Sequence, residues 1–162
     1  MPMNAKQTHW MPDKLLPGYE SATLEFPPDY DGPVVATLVR KAGAAPRKRA
    51  VPYVHGFVDY FFQAHMAERF EEEGWSFYAL DLRKHGRALL PGQHPCFCKH
   101  ISEYFADIVL GWRSIAKWSP GLGRDVTVLQ FPGGLHDLVL SKQEIREDVF
   151  AKLYPWLRAR FP

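Results

Sequence analysis

The chain has few cysteines and no long apolar run. Only 2 of its 162 residues are cysteine, and Cys96 and Cys98 stand two positions apart, a separation that rarely satisfies disulfide geometry without strain. No apolar stretch approaches the roughly 20 residues that cross a bilayer, and the sequence after Met1 builds no signal-peptide core. We therefore expect reduced thiols, no integral membrane segment and a cytoplasmic location.

A large excess of charge of either sign is also missing. Lys and Arg total 20 against 18 Asp and Glu, which gives a net charge of +2, so the composition provides no reason to expect a nucleic acid as partner. The one basic cluster, at 40–49, is interpreted as a solvated loop. With 46% hydrophobic and 14% aromatic residues, the chain can build a core, and its length suits a single domain over 1–162.

Strand and helix patterns alternate along most of the sequence. The predicted elements are, in chain order, an antiparallel hairpin (22–26 and 34–39), strand 51–54, helix 61–73, strand 75–80, helix 102–118, strand 125–131 and helix 142–160. This order predicts an α/β fold, with a mostly parallel, right-handed doubly wound sheet and helices on both faces. Strand 75–80 is expected between the hairpin and strand 51–54, with strand 125–131 beyond them.

The apolar spacing within two of the helices predicts which side is buried. In helix 61–73 the predicted core face is Phe62, Met66 and Phe70. In helix 102–118 it is a longer stripe, formed by Phe105, Ile108, Val109, Trp112, Ile115 and Ala116.

Three loops, each directly after a predicted strand, carry a family resemblance. They are His55-Gly56-Phe57, the stretch 81–88 (DLRKHGRA) and the stretch 133–137 (GGLHD). In this order they resemble α/β-hydrolases of the monoacylglycerol-lipase, lysophospholipase and serine-aminopeptidase type. The resemblance implies an α/β-hydrolase fold, cleavage of carboxylic esters, an oxyanion loop at His55, Gly56 and Phe57, and His136 as the general base. Lys84 stands where the family has a glycine.

The nucleophile of that family is absent. Its serine lies in a G-x-S-x-G elbow, where small residues on both sides tolerate a strained turn. Ser76 follows Gly74 but precedes Tyr78, Ser119 precedes Gly121 but follows Lys117, and the other serines have neither flank. The sequence therefore has no recognisable nucleophile, and it leaves open whether the chain turns over any ester.

Asp107 admits two interpretations. By resemblance, its Ala-Asp context fits the family's catalytic acid, and it fits equally well the helix that follows strand 75–80, where it would be a solvated surface residue. Because one Ala-Asp pair satisfies both, we interpret the chain as a truncated hydrolase whose blocks 10–105 and 107–157 meet at a seam near 106–107. The elbow and the cap region would have been lost between them.

Three functions remain open on the sequence. The first is a catalytically impaired relative of ester hydrolases that binds a small apolar acyl or ester ligand. The second is a minimal active hydrolase centred on His136. The third is a metal binder using His94, Cys96, Cys98 and His100, although ligands at alternate positions of one loop converge poorly on one ion. No cofactor or metal is expected, and an exposed sheet edge at strand 125–131 suggests a homodimer.

Overall fold

The computed structural model describes residues 9–117 and 141–160. The chain divides into two compact units, Met1–Pro120 and Gly121–Pro162. The boundary between the units lies after the predicted seam near 106–107. The organisation of 1–162 as one truncated domain stays a prediction.

The first unit is built on a five-stranded sheet. Its strands are β1 (Met11–Pro12), β2 (Tyr19–Asp29), β3 (Gly32–Lys41), β4 (Ala50–Val54) and β5 (Ser76–Asp81), and their spatial order is β1-β2-β3-β5-β4. The predicted position of strand 75–80 between the hairpin and strand 51–54 is confirmed. Predicted strand 125–131 lies outside the described residues.

The sheet is mixed, and the prediction of a mostly parallel sheet is wrong for the described strands. Only β4 and β5 pair in parallel, whereas β1–β2, β2–β3 and β3–β5 are antiparallel. The physical reason is the length of the hairpin β2–β3, whose strands have 11 and 10 residues. Its tight turn, in which the Asp29 carboxylate accepts a hydrogen bond from the Asp31 amide at 2.7 Å, enforces antiparallel pairing.

Strand β4 contains a proline, which its pairing explains. The Ser76 amide donates to the Arg49 carbonyl at 2.9 Å, so the backbone groups of every second residue from Arg49 face β5. Pro52 falls at an alternate position, and its nitrogen points away from β5. The missing N–H therefore costs the β4–β5 pair no hydrogen bond.

Helices cover both faces of β5, as predicted. Helix α1 (Ala64–Glu72) approaches the sheet where Phe70 stacks on Phe77 with ring centroids 5.7 Å apart. Helix α2 (Glu103–Ala116) approaches where an added Cβ on Gly111 would lie 3.1 Å from the Leu80 side chain. Side chains along a strand alternate in direction, so Phe77 and Leu80 point to opposite faces of β5. Helices α1 and α2 therefore lie on opposite faces of the sheet.

The start of α1 corrects the predicted helix 61–73. The helix begins at Ala64, and Met66, Ala67 and Phe70 are its buried residues. Phe61 lies before the helix and is fully buried against Tyr53 and Phe77, whereas Phe62 is exposed. The predicted core position of Phe62 is therefore wrong, because residues 61–63 precede the helix and helical spacing does not apply to them. Gln63, with φ −81° and ψ 65°, lies in a tight turn that the Ala64 amide closes on the Phe62 carbonyl at 2.9 Å.

The buried face of α2 differs more radically from the prediction. The helix exists within one residue of the predicted start, but its buried residues are Tyr104, Asp107, Leu110, Gly111, Ser114 and Ile115. Four members of the predicted stripe are exposed, namely Phe105, Ile108, Val109 and Trp112. The orientation of this helix is set by the ion pair between Arg83 and Asp107 and by the close approach at Gly111, and not by the spacing of its apolar residues.

The second unit contains helix α3 (Gln143–Arg160), which continues through Pro155. Its buried residues are Val149, Phe150, Tyr154 and Leu157. The rings of Phe150 and Tyr154 stack, with centroids 5.4 Å apart. None of the described helices is both long and apolar enough to span a membrane.

Candidate functional site

Two of the three predicted loops meet at the carboxyl ends of β4 and β5. His55 follows β4, and its Nε2 accepts a hydrogen bond from the Leu82 amide, which follows β5, at 3.0 Å. The rings of His55 and His85 lie with centroids 4.8 Å apart. This edge of the sheet is where α/β proteins carry their functional residues, and the parallel pairing of β4 and β5 brings the two loops together there.

The backbone fixes the ring orientation of both histidines. His55 Nδ1 donates to the Gly56 carbonyl at 2.7 Å while its Nε2 accepts from Leu82. His85 Nδ1 donates to the Arg83 carbonyl at 2.7 Å, its ring packs on Tyr104, and burial lowers the pKa of His85 below its usual value. Each ring thus has an Nδ1–H form fixed by hydrogen bonding, which suits a structural role in joining the loops.

The residues after Gly56 project into solvent. Phe57 is 72% exposed and Val58 is 69% exposed. Val58 also has a φ of 56°, an uncommon conformation for a β-branched residue. The Phe57 amide has no hydrogen-bond partner among residues 9–117 and 141–160. Within the described residues, the backbone N–H just past the glycine is therefore unpaired.

A buried arginine joins the loop after β5 to the N-terminal segment. The Arg87 guanidinium binds both carboxylate oxygens of Asp13 at 2.7 and 2.8 Å, and Asp81 at 2.9 Å. Asp81 also accepts hydrogen bonds from the amides of Phe61, at 2.9 Å, and of Arg87, at 3.1 Å. Asp81 therefore ties together the loop after β5 and the segment that precedes α1.

Gly86 is the residue that lets this loop close over Asp81. Its φ is 44°, and an added Cβ would lie 2.7 Å from Asp81 Oδ2 and collide with the Tyr60 side chain. A side chain at this position would have to displace the buried carboxylate or the tyrosine. This loop can be built only around a glycine at 86.

Lys84 has a backbone conformation that favours glycine. Its φ is 62°, the left-handed conformation that glycine adopts without cost. Here the lysine side chain is buried and forms ion pairs with Asp29 at 2.9 Å and Asp31 at 3.4 Å. Its ammonium also lies 4.2 Å from the centre of the Tyr30 ring. These contacts fasten the turn of the β2–β3 hairpin to the loop after β5 and offset the backbone strain.

Asp107 is a buried ion-pair partner, so its interpretation as a solvated helix residue is wrong. Its side chain is completely buried, and both oxygens are bound by Arg83, with the closest pair, Arg83 Nη2 and Asp107 Oδ1, at 2.6 Å. The Arg83 amide donates to the same carboxylate at 2.9 Å. This bidentate pair is the polar anchor that turns α2 toward the sheet.

The four predicted metal ligands do not form a metal centre. His94 pairs with Asp31 at 2.8 Å, and His100 contacts the Ser102 hydroxyl at 2.7 Å. No group of three His, Cys, Asp or Glu side chains that could hold a metal ion occurs in the described part of the chain, which includes all four candidates. The structure therefore gives no support to a metal site formed by these four residues.

His136 and the rest of the loop 133–137 lie outside the described residues. The chemical roles predicted for His136, for the oxyanion loop and for Asp107 stay predictions. Sequence reasoning missed Arg83, Lys84 and Arg87 as buried charges. Their one signal was the crowding of three basic residues into a loop between an apolar strand and a helix.

Comparison with known proteins gives little. No family model and no curated protein matches the chain. Among solved structures, the PEG-bound complex of a cold-adapted esterase from an Arctic intertidal metagenomic library is similar at 18% identity and a TM-score of 0.37. The match covers 65% of this chain and 45% of the esterase, so the chain spans less than half the length of that protein. A likeness of this degree carries no argument about function.

Proposed function

We propose that this chain is a non-catalytic derivative of a carboxylic-ester hydrolase that keeps an oxyanion-type loop for binding small acyl or ester groups. One observation carries the proposal. The Phe57 amide in the loop after β4 has no partner among the described residues, whereas the carboxylate of Asp107 is fully engaged by Arg83. The site can bind an oxygen, but its buried acid is not available to orient a base.

The surroundings of the Phe57 amide favour an apolar ligand. Exposed side chains of Phe57, Val58, Tyr60 and Phe62 lie along the same loop. A carbonyl oxygen bound at the amide would have its acyl chain beside these side chains. Burial of even a four-carbon chain contributes roughly 0.8 kcal/mol per CH₂, which suits weak binding of short esters.

The proposed loss of activity follows from the missing nucleophile. Acyl transfer needs a nucleophile within hydrogen-bond reach of its base. Among the described serines, the Ser76 hydroxyl accepts from the Arg47 amide at 2.8 Å, and the Ser114 hydroxyl donates to the Leu110 carbonyl at 2.9 Å. Both contacts are structural and lie within the body of the fold. The Ser102 hydroxyl does lie 2.7 Å from His100 Nδ1, but both residues are exposed and no carboxylate among the described residues orients the His100 ring.

We further propose that the chain arose by an internal deletion whose ends meet at Ala106-Asp107. Helix α2 supports this origin because it is apolar on two sides, with Leu110 and Ile115 buried and Phe105, Ile108, Val109 and Trp112 exposed. A surface helix that evolved in place normally has one apolar stripe. Two stripes are expected if residues after the seam formerly packed against a different part of the protein.

A hydrolysis assay with a matched control tests the activity claim. We expect p-nitrophenyl butyrate to be cleaved at the buffer rate by the wild-type chain, by His136→Ala and by the control His9→Ala, which alters an exposed histidine. A serine-reactive fluorophosphonate probe should label none of them. A wild-type rate well above buffer that His136→Ala abolishes and His9→Ala preserves would replace this proposal with the minimal active hydrolase.

Ligand binding is tested separately by ¹⁵N NMR with a short monoacylglycerol, monobutyrin. The amide signals of Phe57 and Val58 should shift in a saturable way, and Phe57→Pro, which removes the amide hydrogen, should abolish the shift at Val58. Absence of any shift at millimolar ligand would contradict the binding role without affecting the hydrolysis result.

A further inference from the structure

The outer face of α2 is a continuous apolar surface. We define it by Ile101, Phe105, Ile108, Val109 and Trp112, which are 63%, 60%, 38%, 46% and 41% exposed. The spacing of three and four residues places the last four on one side of the helix, and Ile101 lies in the turn just before it. Arg113 lies beside this face, and none of its five members is charged.

The helix cannot rotate to bury this face. Its opposite side is fixed by the Arg83–Asp107 ion pair and by Gly111, where an added Cβ would meet Leu80 at 3.1 Å. Turning the outer face inward would leave a buried arginine unpaired, which is strongly destabilising. The apolar face is therefore a permanent feature of the folded first unit.

We propose that the outer face of α2 is a homodimer interface in which two copies of the helix pack antiparallel about a two-fold axis. Aromatic side chains bury roughly 150–250 Å² each when fully covered and Ile or Val bury less, so at these exposures the face offers on the order of 500 Å². Two copies would bury on the order of 1,000 Å² together, which is the lower limit for a specific interface. The expected association is accordingly weak, in the micromolar range.

A second copy suits this face because the face is self-complementary. With the axis between positions 108 and 109, Phe105 of one copy lies opposite Trp112 of the other. Ile108 lies opposite Val109, and Ile101 lies opposite the small residue Ala116. In the antiparallel arrangement the two helix dipoles point in opposite directions, which is favourable. Because the face carries no charge, two identical copies of it do not repel each other. This interface is distinct from the sheet edge at 125–131 predicted from the sequence.

Paired charge substitutions at the axis test the proposal. Analytical ultracentrifugation of the wild-type chain should show a concentration-dependent dimer between 1 and 200 μM (about the range set by an interface of this size). Val109→Glu and Ile108→Lys should each weaken self-association at least 10-fold. An equimolar mixture of the two should regain it, because the introduced lysine of one copy then lies opposite the introduced glutamate of the other. The control Ala106→Glu adds the same charge to α2 away from the face and should leave the dimer unchanged.

Each contrary outcome is informative. A wild-type chain that stays monomeric at 200 μM (roughly 100-fold above a micromolar dissociation constant) overturns the proposal. A dimer that survives Val109→Glu locates association elsewhere and overturns it as well. If the monomer instead co-sediments with phosphatidylcholine vesicles and Val109→Glu abolishes this, the face binds lipid and the dimer proposal is overturned. Recovery in the mixture cannot arise from misfolded variants, so failure of the single variants to fold would not imitate the expected result.

Discussion

The loop after β5 and the outer face of α2 lie in the same unit and differ in how completely their side chains are matched. In the loop, the charged side chains of Asp81, Arg83, Lys84 and Arg87 all have partners at 3.1 Å or closer. On the outer face of α2, large apolar side chains remain in solvent. The partners of Asp81, Lys84 and Arg87 all precede the proposed seam, and Arg83 pairs with Asp107 at the seam itself. The outer face lies largely after it, and the proposed deletion explains why it has none within the described unit.

The largest effect is expected at Gly86. Gly86→Ala should destabilise the first unit by roughly 3–5 kcal/mol, since overpacking adds to the cost of a left-handed alanine. The new Cβ would collide with Tyr60 and Asp81. Urea unfolding measures the change. The control Gly92→Ala has a similar positive φ but nothing within 4 Å of its Cβ, and it should cost only about 1 kcal/mol. If Gly86→Ala and Gly92→Ala lower the free energy of unfolding equally, the left-handed backbone conformation causes the loss and the collision with Tyr60 and Asp81 does not.

The next effect is expected at the polar anchor of α2. Asp107→Asn should lower the free energy of unfolding by roughly 3 kcal/mol, because it leaves the Arg83 guanidinium buried without a counter-charge. The exposed i,i+4 pair Asp148–Lys152 in α3 provides a control, and Asp148→Asn should cost no more than about 0.5 kcal/mol. A double variant, Arg83→Met with Asp107→Leu, should recover much of the lost stability. Failure to recover it would mean that the pair does more than orient the helix.

A smaller effect concerns acid stability. Hydrogen bonds from the backbone and ring of His94, with the Lys84 ammonium, lower the pKa of Asp31 to about 2 from its usual 3.8. A carboxylate with a depressed pKa in the folded state stabilises the fold above about pH 4, and this contribution is lost as the pH falls from 4 toward 2. Melting temperatures measured across this interval should fall less steeply for Asp31→Asn. The prediction fails if the melting temperatures of the wild-type chain and of Asp31→Asn fall equally steeply between pH 4 and pH 2 (about the interval set by the two pKa values).

The smallest stability effect is expected on the outer face of α2. Val109→Thr should change the unfolding free energy of the monomer by less than about 0.5 kcal/mol, because surface substitutions away from special features are nearly neutral. Dilution to 1 μM (about the concentration at which a weak dimer dissociates) isolates the monomer. A loss above about 1 kcal/mol there would show that the face is packed within the chain.

Local signals were sufficient for much of the fold. The hairpin was predictable because turn residues separate two β-rich runs, and the burial of residues 77–80 in β5 was predictable from their continuous apolar run. The meeting of the loops after β4 and β5 followed from their positions at strand ends. The prediction of a mostly parallel sheet is wrong for the described strands, because periodicity identifies strands but does not specify how they pair.

The buried charges and the face of α2 could not be predicted from local patterns. Hydrophobic spacing pointed to Phe105 and Trp112 as core residues, and both are exposed. The buried face of α2 is decided by the contact between Arg83 and Asp107, which are 24 positions apart, and by the close approach of the helix to Leu80 that Gly111 allows. A glycine and an acid on one helical side carry no hydrophobic signal, so only the packed structure reveals them.

The sequence by itself determined the succession of the described strands and helices and the absence of a nucleophile elbow, because these depend on neighbouring residues. The tertiary structure decided the mixed sheet, the role of Asp107 as an anchor and the exposure of the outer face of α2. These depend on which distant partner each side chain meets. Burying a charge without its partner costs more free energy than leaving several apolar side chains in water, and that difference fixed the orientation of the helix.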